Sequence, residues 1–449
     1  MYPLLNGCLP TLESPKFHSL FSALPPDSPA QIPAMKIAIL GFGPSGSVAG
    51  ALLARTGCDV VVLDEDERPA LLVGESLVPG MIPVLRNLGV EDRVAQIGVR
   101  KPGVTFHPRP EVRVAFSFQT LPAHHPQYAY NVPRPGFDQI LQQRALESGV
   151  RHLKTRAEVR AEHDRLLLSD DTLARIEHWR GKQPDLVIDA TGRRRLSARV
   201  LEIPADLGPR RDVSHFAHFH GVQRESPEGQ VAIDYLEHGW AWRIPLRDTV
   251  SFGIVLPQQA ATHLGSSPEE RLLRTLQNNP QLGDGLAEPQ RVSAVQTYAN
   301  YQLISRKGVG ANWAAIGDAF GFVDPMLSPG IMVALQSATL LAEELAGAGS
   351  RRDQLDRYST KMTRMLRAWM ELIAYFYSGR IFEMHQTGKE MQNRYPRLPL
   401  HILEKIMNAT MAGMASGFTT ESPFPRNVLR SVDRFLVGAP EKAGLFAVA

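Results

Sequence analysis

The chain has 449 residues, 43% of them hydrophobic and 21% charged, which is ordinary globular composition with room for two or three structural units. Its 49 basic and 46 acidic residues leave a net charge of +3, which offers no basic surface for nucleic acid or an anionic membrane. Small molecules or another protein are therefore the expected partners. The only cysteines, Cys8 and Cys58, provide neither a disulfide framework nor a zinc site, so we predict a cytoplasmic protein. No apolar run approaches the ~20 residues of a membrane span.

Residues 1–34 differ from the rest of the chain. They are rich in proline, poor in charge, and show neither the period of a strand nor that of a helix. They also lack the basic start and the continuous apolar stretch of a signal peptide. We predict a disordered extension, with Met35 as an alternative start of the protein.

The segment from Met35, MKIAILGFGPSGSVAGALLARTGCDVVVLDED, reads as strand, glycine turn, helix and strand. In this pattern Gly41 permits a tight turn, Gly43 lets the backbone approach a pyrophosphate, and Gly46 lets helix and strand pack closely. The phosphates would lie at the start of the helix, where free N–H groups and the helix dipole favour anions. Ser45 in the same turn and Asp64 at the end of the second strand, placed to bind a ribose diol, complete the predicted dinucleotide site. The alternative is a βα turn without a ligand.

Two later apolar strands favour FAD over a nicotinamide cofactor. DLVIDATG (185–192) and WAAIGDAFGFVDP (313–325) match the two returns of an FAD-binding sheet, and the second puts Asp318 in a turn beside the ribityl chain. Between the glycine turn and these returns, VPRPGFDQILQQRALESG (132–149) has apolar residues at helical spacing, with Arg134 just ahead of them. Arg134 is either a flavin neighbour or an ordinary capping or ion-paired residue.

Three further segments, together with the glycine turn, resemble the flavin-dependent halogenases and their close monooxygenase relatives, which share the p-hydroxybenzoate-hydroxylase-like FAD fold. LVGESLVPG (72–80) is similar to the family's Gly-Glu-x-x-x-Pro segment. GWAWRIP (239–245) matches its W-x-W-x-I-P pattern, and FVDPMLSPG (322–330) its F-x-x-P-x-x-S-x-G pattern. The resemblance implies FAD as cofactor, O2 as co-substrate, and a flavin hydroperoxide that either hydroxylates an aromatic ring or oxidises a halide.

The resemblance also implies roles for particular residues. Lys101, in RKPGVTF, matches the lysine that captures hypohalous acid in halogenases of phenols and pyrroles. Glu75 belongs to the segment along the flavin. Trp240 and Trp242 would shield the flavin. In the third segment Ser328 is a predicted catalytic residue and Gly330 a predicted cofactor-binding residue. Pro325 and Pro329 are assigned to the shielding of substrate and flavin.

Each of these residues has a plainer interpretation. Two tryptophans that alternate along a strand are more often core, a lysine in a polar loop is usually solvated, and Glu75 could form an ordinary ion pair. His215, His218 and His220 in SHFAHFHG alternate with apolar residues as in a strand, and no carboxylate or cysteine joins them at ligand spacing. We therefore predict no metal site, although one of these histidines could contact substrate.

Pro329 favours hydroxylation over halogenation. In the halogenases, backbone N–H groups after the motif serine bind the halide, which here would be those of residues 329 and 330. Proline has no N–H group, and a hydrogen bond to a charged group is worth roughly 1.5 to 3 kcal/mol. The sequence therefore predicts an FAD-dependent monooxygenase that hydroxylates an indole, phenol or pyrrole, free or attached to a protein or carrier, as in relatives that mature a tryptophylquinone cofactor. The alternatives are a chloride- or bromide-using halogenase and a non-catalytic FAD-binding module.

The predicted fold is α/β, with a Rossmann-type FAD-binding domain, an inserted antiparallel β-sheet substrate domain and a helical C-terminal part. The FAD-binding domain is assigned to residues 35–99, 131–210 and 297–348, the substrate domain to 101–130 and 211–296, and the helical part to 349–449. Electrons would come from NAD(P)H directly or through a separate flavin reductase. The reductase is suggested because no Asp-Gly motif follows the DLVIDATG strand.

Overall fold

A computed structural model describes residues 35–65, 71–279, 282, 289–396 and 400–438. The predicted extension at 1–34 lies outside the described residues. In chain order the strands are β1 (Lys36–Leu40), β2 (Asp59–Asp64), β3 (Val99–Lys101), β4 (Gly103–Arg109), β5 (Val112–Ser117), β6 (Ala129–Asn131), β7 (Arg151–Lys154), β8 (Val159–Glu162), β9 (Arg165–Leu168), β10 (Leu186–Asp189), β11 (Ala205–His220), β12 (Val231–Tyr235), β13 (Trp240–Pro245), β14 (Val250–Pro257), β15 (Gln290–Arg291), β16 (Gln296–Ser305), β17 (Trp313–Ala315) and β18 (Gly321–Phe322).

The helices are α1 (Pro44–Arg55), α2 (Ile82–Asn87), α3 (Glu91–Ile97), α4 (Arg134–Glu147), α5 (Asp170–Ala174), α6 (Leu196–Val200), α7 (Gln258–Leu264), α8 (Pro268–Asn278), α9 (Pro329–Ala346), α10 (Arg351–Tyr377), α11 (Arg380–Arg394), α12 (Leu400–Ala415) and α13 (Pro423–Leu436). The predicted α/β fold is confirmed. The segment 132–149, with apolar residues at helical spacing, contains α4. No helix in the described ranges is long and apolar enough to cross a membrane.

A parallel sheet with the order β17-β10-β1-β2-β7 carries the glycine turn. Its strands are apolar almost throughout because both faces are covered, and β1 and β10 are nearly completely buried. From β1 the chain first adds β2 on one side and later β10 on the other. The crevice at the carboxyl end of such a switch point is where open α/β sheets bind ligands. Helix α1 begins at this edge, and α9 packs against α1.

A second sheet has the order β18-β16-β11-β14-β13-β12-β4-β5, and β15 pairs with β11. The sheet is antiparallel as predicted except that β12 and β4 run parallel. The predicted domain boundaries at 210 and 296 fall inside strands β11 and β16, not in loops between elements. The division into domains stays a prediction. Small two-stranded sheets join β3 to β6 and β8 to β9.

Helix α10 dominates the helical part after residue 349. Its 27 residues begin with a capping box in which Ser350 and Asp353 exchange hydrogen bonds, which satisfies two backbone N–H groups that the helix cannot satisfy itself. One face of α10 is buried along its whole length and packs against α9. The last residue of α10, Tyr377, therefore reaches the second sheet at a position set by a long helix.

Candidate active site

The glycine turn after β1 has the shape that a dinucleotide requires. Gly41 has a φ of +102°, and a Cβ there would lie 2.6 Å from the carbonyl oxygen of Ala190. A Cβ on Gly46 would lie 2.1 Å from the carbonyl oxygen of Gly41, so only glycine lets α1 start this close to the strand. At Gly43, in contrast, a Cβ would meet nothing within 4 Å. Open space therefore faces the backbone at the residue expected to approach the pyrophosphate.

The other predicted residues of this site surround the turn. Asp64 ends β2, and its Oδ1 accepts a hydrogen bond of 3.2 Å from the backbone N–H of Phe42. Ser45 is buried in the first turn of α1, and its Oγ lies 3.2 Å from the position a Cβ on Gly317 would take. The 3₁₀ turn Gly317–Ala319 thus sits directly against the start of α1.

Asp318 lies in this 3₁₀ turn, near two arginines. Burial raises the pKa of Asp318 to about 6, while the positive charges of Arg193 and Arg134 act in the opposite direction. Arg134 is buried at the start of α4, where its Nε donates to Asp138 at 3.0 Å. Its Nη1 donates to the carbonyl of Val73. The structure thus shows an ion pair for Arg134 and also places it beside the Gly-Glu-x-x-x-Pro segment; its contact with flavin stays a prediction.

Helix α9 starts at Pro329, the proline that lacks an N–H group for a halide. Pro329 is the first helical residue, a position where proline is favoured because that N–H has no partner within the helix. The next two residues, Gly330 and Ile331, are in the first turn, whose N–H groups also have no intrahelical acceptor. A Cβ on Gly330 would meet nothing within 4 Å, so this helix start also faces open space.

The backbone just before α9 is strained. Leu327 and Ser328 have φ values of +68° and +59°, a region that residues with a side chain rarely adopt. Such strain costs on the order of 1–3 kcal/mol per residue and is concentrated at functional sites. The N–H of Ser328 bonds to the carbonyl of Pro325 at 3.0 Å, which closes the turn that aims the helix start.

Lys101 is buried rather than solvated. Only 3% of the residue is exposed, and its Nζ donates to Ser76 Oγ at 2.7 Å and to the carbonyl of Leu77 at 3.0 Å. The Nζ also lies 5.4 Å from the centre of the Phe118 ring. Burial lowers the pKa of Lys101 to about 7, because removal from water disfavours the charged ammonium group. About half of the amine is then neutral at pH 7.

Glu75 has a partner that the sequence did not identify. Its Oε1 lies 2.7 Å from Nε2 of His218, and the carboxylate is almost completely buried. From the sequence alone, His218 was one of three histidines for which a metal site was not expected and a contact with substrate was left open. A histidine facing the glutamate from a strand 143 residues away leaves no local signal. Within the described ranges no group of three or more histidine, cysteine or acidic residues could hold a metal ion.

Trp240 and Trp242 lie side by side on β13, with ring centres 5.9 Å apart. Both are buried, as the plainer interpretation also expected. The indole of Trp242 lies over Gly253 on β14, where a Cβ would be 2.2 Å from the ring. Its Nε1 donates to Ser251 Oγ at 3.2 Å, whereas the Nε1 of Trp240 donates to Tyr377 Oη at 2.8 Å. The two tryptophans are therefore held by different parts of the fold.

The structure brings the predicted residues together in groups. Gly41, Gly43, Gly46 and Asp64 form one group, joined to Asp318 through Ser45. Among the described residues, the amine of Lys101 donates only to the Ser76 side chain and the Leu77 carbonyl, so no hydrogen bond joins it to Glu75 or Ser328.

Comparison with known proteins gives a consistent result. The family model described as "Tryptophan halogenase" matches residues 36–125 and 114–382. The tryptophan 2-halogenase of Chondromyces crocatus is 30% identical over 360 residues, which are 76% of this chain and 67% of that protein. The 1H-pyrrole-2-carbonyl peptidyl-carrier protein brominase of Pseudoalteromonas luteoviolacea is 27% identical over 383 residues, 80% of this chain and 88% of that protein. A triple mutant of the flavin-dependent brominase Bmp2 shares the fold, with a TM-score of 0.72 and 22% identity over 89% of this chain and 99% of that chain.

Proposed function

Because the chain belongs to the tryptophan halogenase family, we propose that it is a flavin-dependent halogenase that transfers chloride or bromide to an aromatic ring. The comparisons support this alternative better than the hydroxylation that the sequence analysis placed first. Reduced FAD supplies the reaction with O2 that oxidises the halide. The observation that carries the proposal is the buried Lys101, whose amine is partly neutral at pH 7.

The cofactor fits the residues at the edge of the parallel sheet. Gly43 offers open space at the start of α1 for the pyrophosphate, with Gly41 and Gly46 shaping the turn. Asp64 would bind the adenosine ribose. Asp318 would bind the ribityl chain, where its raised pKa allows the carboxyl group to act as a donor or an acceptor near neutral pH. These assignments follow the family pattern and the positions of the side chains.

The neutral amine of Lys101 is the acceptor for the oxidised halogen. Its nitrogen attacks the halogen of hypohalous acid, the O–halogen bond breaks, and a proton from the amine leaves with the hydroxide as water. Attack by the aromatic ring then breaks the N–halogen bond, and the ring proton that is lost restores the amine. An ammonium group has no lone pair for the first step, so the low pKa that burial imposes is what makes the lysine competent.

The start of α9 is the proposed halide site. Pro329 occupies a position whose N–H is dispensable for the helix, and the N–H groups of Gly330 and Ile331 remain in the first turn. The open space at Gly330 leaves room for an anion. The reason for preferring hydroxylation was the missing N–H of Pro329, and it loses weight because two neighbouring donors are in place.

For the substrate we propose an electron-rich aromatic ring such as an indole, phenol or pyrrole, either free or bound to a carrier protein. The support is the name of one relative, which acts on a pyrrole attached to a peptidyl-carrier protein. Delivery of reduced flavin by a separate reductase, using NAD(P)H, and a cytoplasmic location are parts of the same proposal.

The test is to supply reduced FAD in air with bromide, adding in turn a reactive diketone, which traps hypobromous acid, and a panel of indoles, phenols and carrier-bound pyrroles. Wild-type enzyme should brominate the diketone and one class of ring. Lys101→Ala should still brominate the diketone but lose ring bromination, whereas the exposed Lys307→Ala should do both. Oxygenated ring and no brominated product would establish hydroxylation instead. Bound reduced FAD that does not consume O2 would indicate a non-catalytic module.

A further inference from the structure

A chain of hydrogen bonds joins one tryptophan of β13 to the loop before α9. The Nε1 of Trp240 donates to Tyr377 Oη at 2.8 Å, and Tyr377 Oη donates to Oδ1 of Asp324 at 3.0 Å. The same oxygen of Asp324 accepts a hydrogen bond of 2.9 Å from the backbone N–H of Met326. Asp324 immediately precedes Pro325, so the chain ends in the FVDPMLSPG segment.

The two ends of this series of hydrogen bonds are buried, and a positively charged guanidinium group lies against the tyrosine in the middle. Trp240 and Asp324 are each 2% exposed, and Tyr377 is half-buried. The guanidinium carbon of Arg210 lies 3.5 Å from the centre of the Tyr377 ring, and the Nε of Arg210 donates to Asp212 at 2.9 Å. The buried carboxylate of Asp324 needs its hydrogen bonds from Tyr377 and Met326, because an unpaired buried charge would be strongly destabilising.

Trp242, the neighbouring tryptophan, gives the contrast. Its hydrogen bond goes to Ser251 on the next strand, so the sheet alone determines its position. Trp240 instead depends on the last residue of α10. The position of its indole relative to the loop before α9 is therefore set by a helix that belongs to neither the sheet nor the loop.

We propose that Tyr377 is a positioning residue, which holds the Trp240 indole against the loop before α9 with Asp324 as its anchor. Its catalytic consequence rests on the proposed function: a correctly placed Trp240 keeps the oxidised halogen on its way to Lys101, and a displaced one lets oxidant escape. The link itself is a property of the fold and can be tested without any turnover.

The charge of Asp324 makes the link sensitive to pH. Burial raises the pKa of Asp324 to about 6, while the hydrogen bonds from Met326 and Tyr377 and the charge of Arg210 oppose this, and Asp212 acts with burial. Below pH 6 the carboxyl group becomes protonated and loses its charge-assisted hydrogen bond to Tyr377. The hydrogen bonding of the Trp240 indole should then change, whereas the bond from Trp242 to Ser251 should remain.

The first experiment follows the tryptophan fluorescence of the full chain between pH 4.5 and 8. Other tryptophans, such as Trp179 beside His178, also contribute to the emission, so the readout is the difference between each protein and the same protein carrying Trp240→Phe. The difference should show a transition near pH 6 in the wild type and in Trp242→Phe, and none in Tyr377→Phe or Asp324→Asn. A transition that survives Tyr377→Phe, or a difference that is flat in the wild type, would overturn the proposal.

The second experiment measures, in the FAD-loaded enzyme with bromide and O2, the ratio of brominated diketone, which traps escaped hypobromous acid, to brominated ring. Tyr377→Phe should raise this ratio several-fold. The matched control is Tyr235→Phe, which removes a partly buried hydroxyl bonded at 2.9 Å to the carbonyl of Phe376 at the same helix end but leaves the Trp240–Asp324 hydrogen bonds intact. Equal ratios in the two variants would refute the catalytic role. A wild type that brominates nothing would refute the proposed function, while the fluorescence result would still decide on the link.

Discussion

Replacing Lys101 by methionine should make the stability of the protein depend less on pH. The lysine has a pKa of about 7 in the folded protein because of burial, against 10.5 for its usual value. Between these two values the unfolded chain carries a proton on Lys101 that the folded chain mostly lacks. Unfolding therefore takes up a proton, and the wild-type protein becomes more stable as the pH rises through this window. Methionine keeps an unbranched apolar chain in the site and does not titrate.

The magnitude follows from the two pKa values. One proton taken up on unfolding changes the free energy of unfolding by about 1.4 kcal/mol per pH unit. Between pH 7.5 and 9.5 the lysine is almost fully protonated in the unfolded chain and mostly neutral in the folded one. The stability of wild type relative to Lys101→Met should therefore rise by about 2 to 3 kcal/mol across these two pH units.

The assay is urea unfolding of both proteins at pH 7.5, 8.5 and 9.5, with Lys307→Met as the control because that lysine is exposed on the surface. The control should track the wild type at every pH. The same pKa should appear in catalysis: ring bromination should rise with pH around 7, while diketone bromination should not follow it. If wild type and Lys101→Met show the same pH slope, the lysine is charged in the folded protein and the amine-transfer step proposed here fails.

Three further predictions concern other parts of the site. Gly43→Ala should leave the melting temperature unchanged but weaken FAD binding in a flavin fluorescence titration, and equal FAD affinity in this variant and wild type would contradict the proposed pyrophosphate site. Gly46→Ala places the new Cβ 2.1 Å from a backbone oxygen, so it should cost about 1 to 3 kcal/mol of stability in urea unfolding. Pro329→Ser adds one N–H donor at the start of α9 and should lower the KM for bromide about tenfold in the diketone assay. This factor corresponds to the lower end of the free-energy range for a hydrogen bond to a charged group. An unchanged KM would place the halide elsewhere. His218→Ala should cost about 1 to 3 kcal/mol of stability by leaving buried Glu75 without its partner, and a smaller loss in the Glu75→Gln, His218→Ala double variant would identify the stranded carboxylate as the cause.

The local pattern was sufficient for the elements that depend on neighbours in the chain. The glycine turn could be predicted because Gly41 and Gly46 must be glycine to avoid backbone atoms that lie a few residues away or at the end of the adjoining strand. Helix α4 followed from apolar spacing, and β13 from the alternation of its two tryptophans. The role of Pro329 stays a prediction, because the sequence counted a missing donor but did not show that the residue begins a helix.

The amino-acid sequence by itself determined the FAD-type fold and the segments that meet at its ligand-binding edge, since glycine spacing, helical period and strand alternation are local properties of the chain. Tertiary structure alone decided the chemistry of the side chains. The amine of Lys101 has a low pKa because distant segments exclude water from it, and Glu75 meets a histidine 143 residues away. Trp240 is tied to a tyrosine 137 residues away. Burial and pairing across such distances depend on how the sheets and helices pack, and no local pattern encodes them.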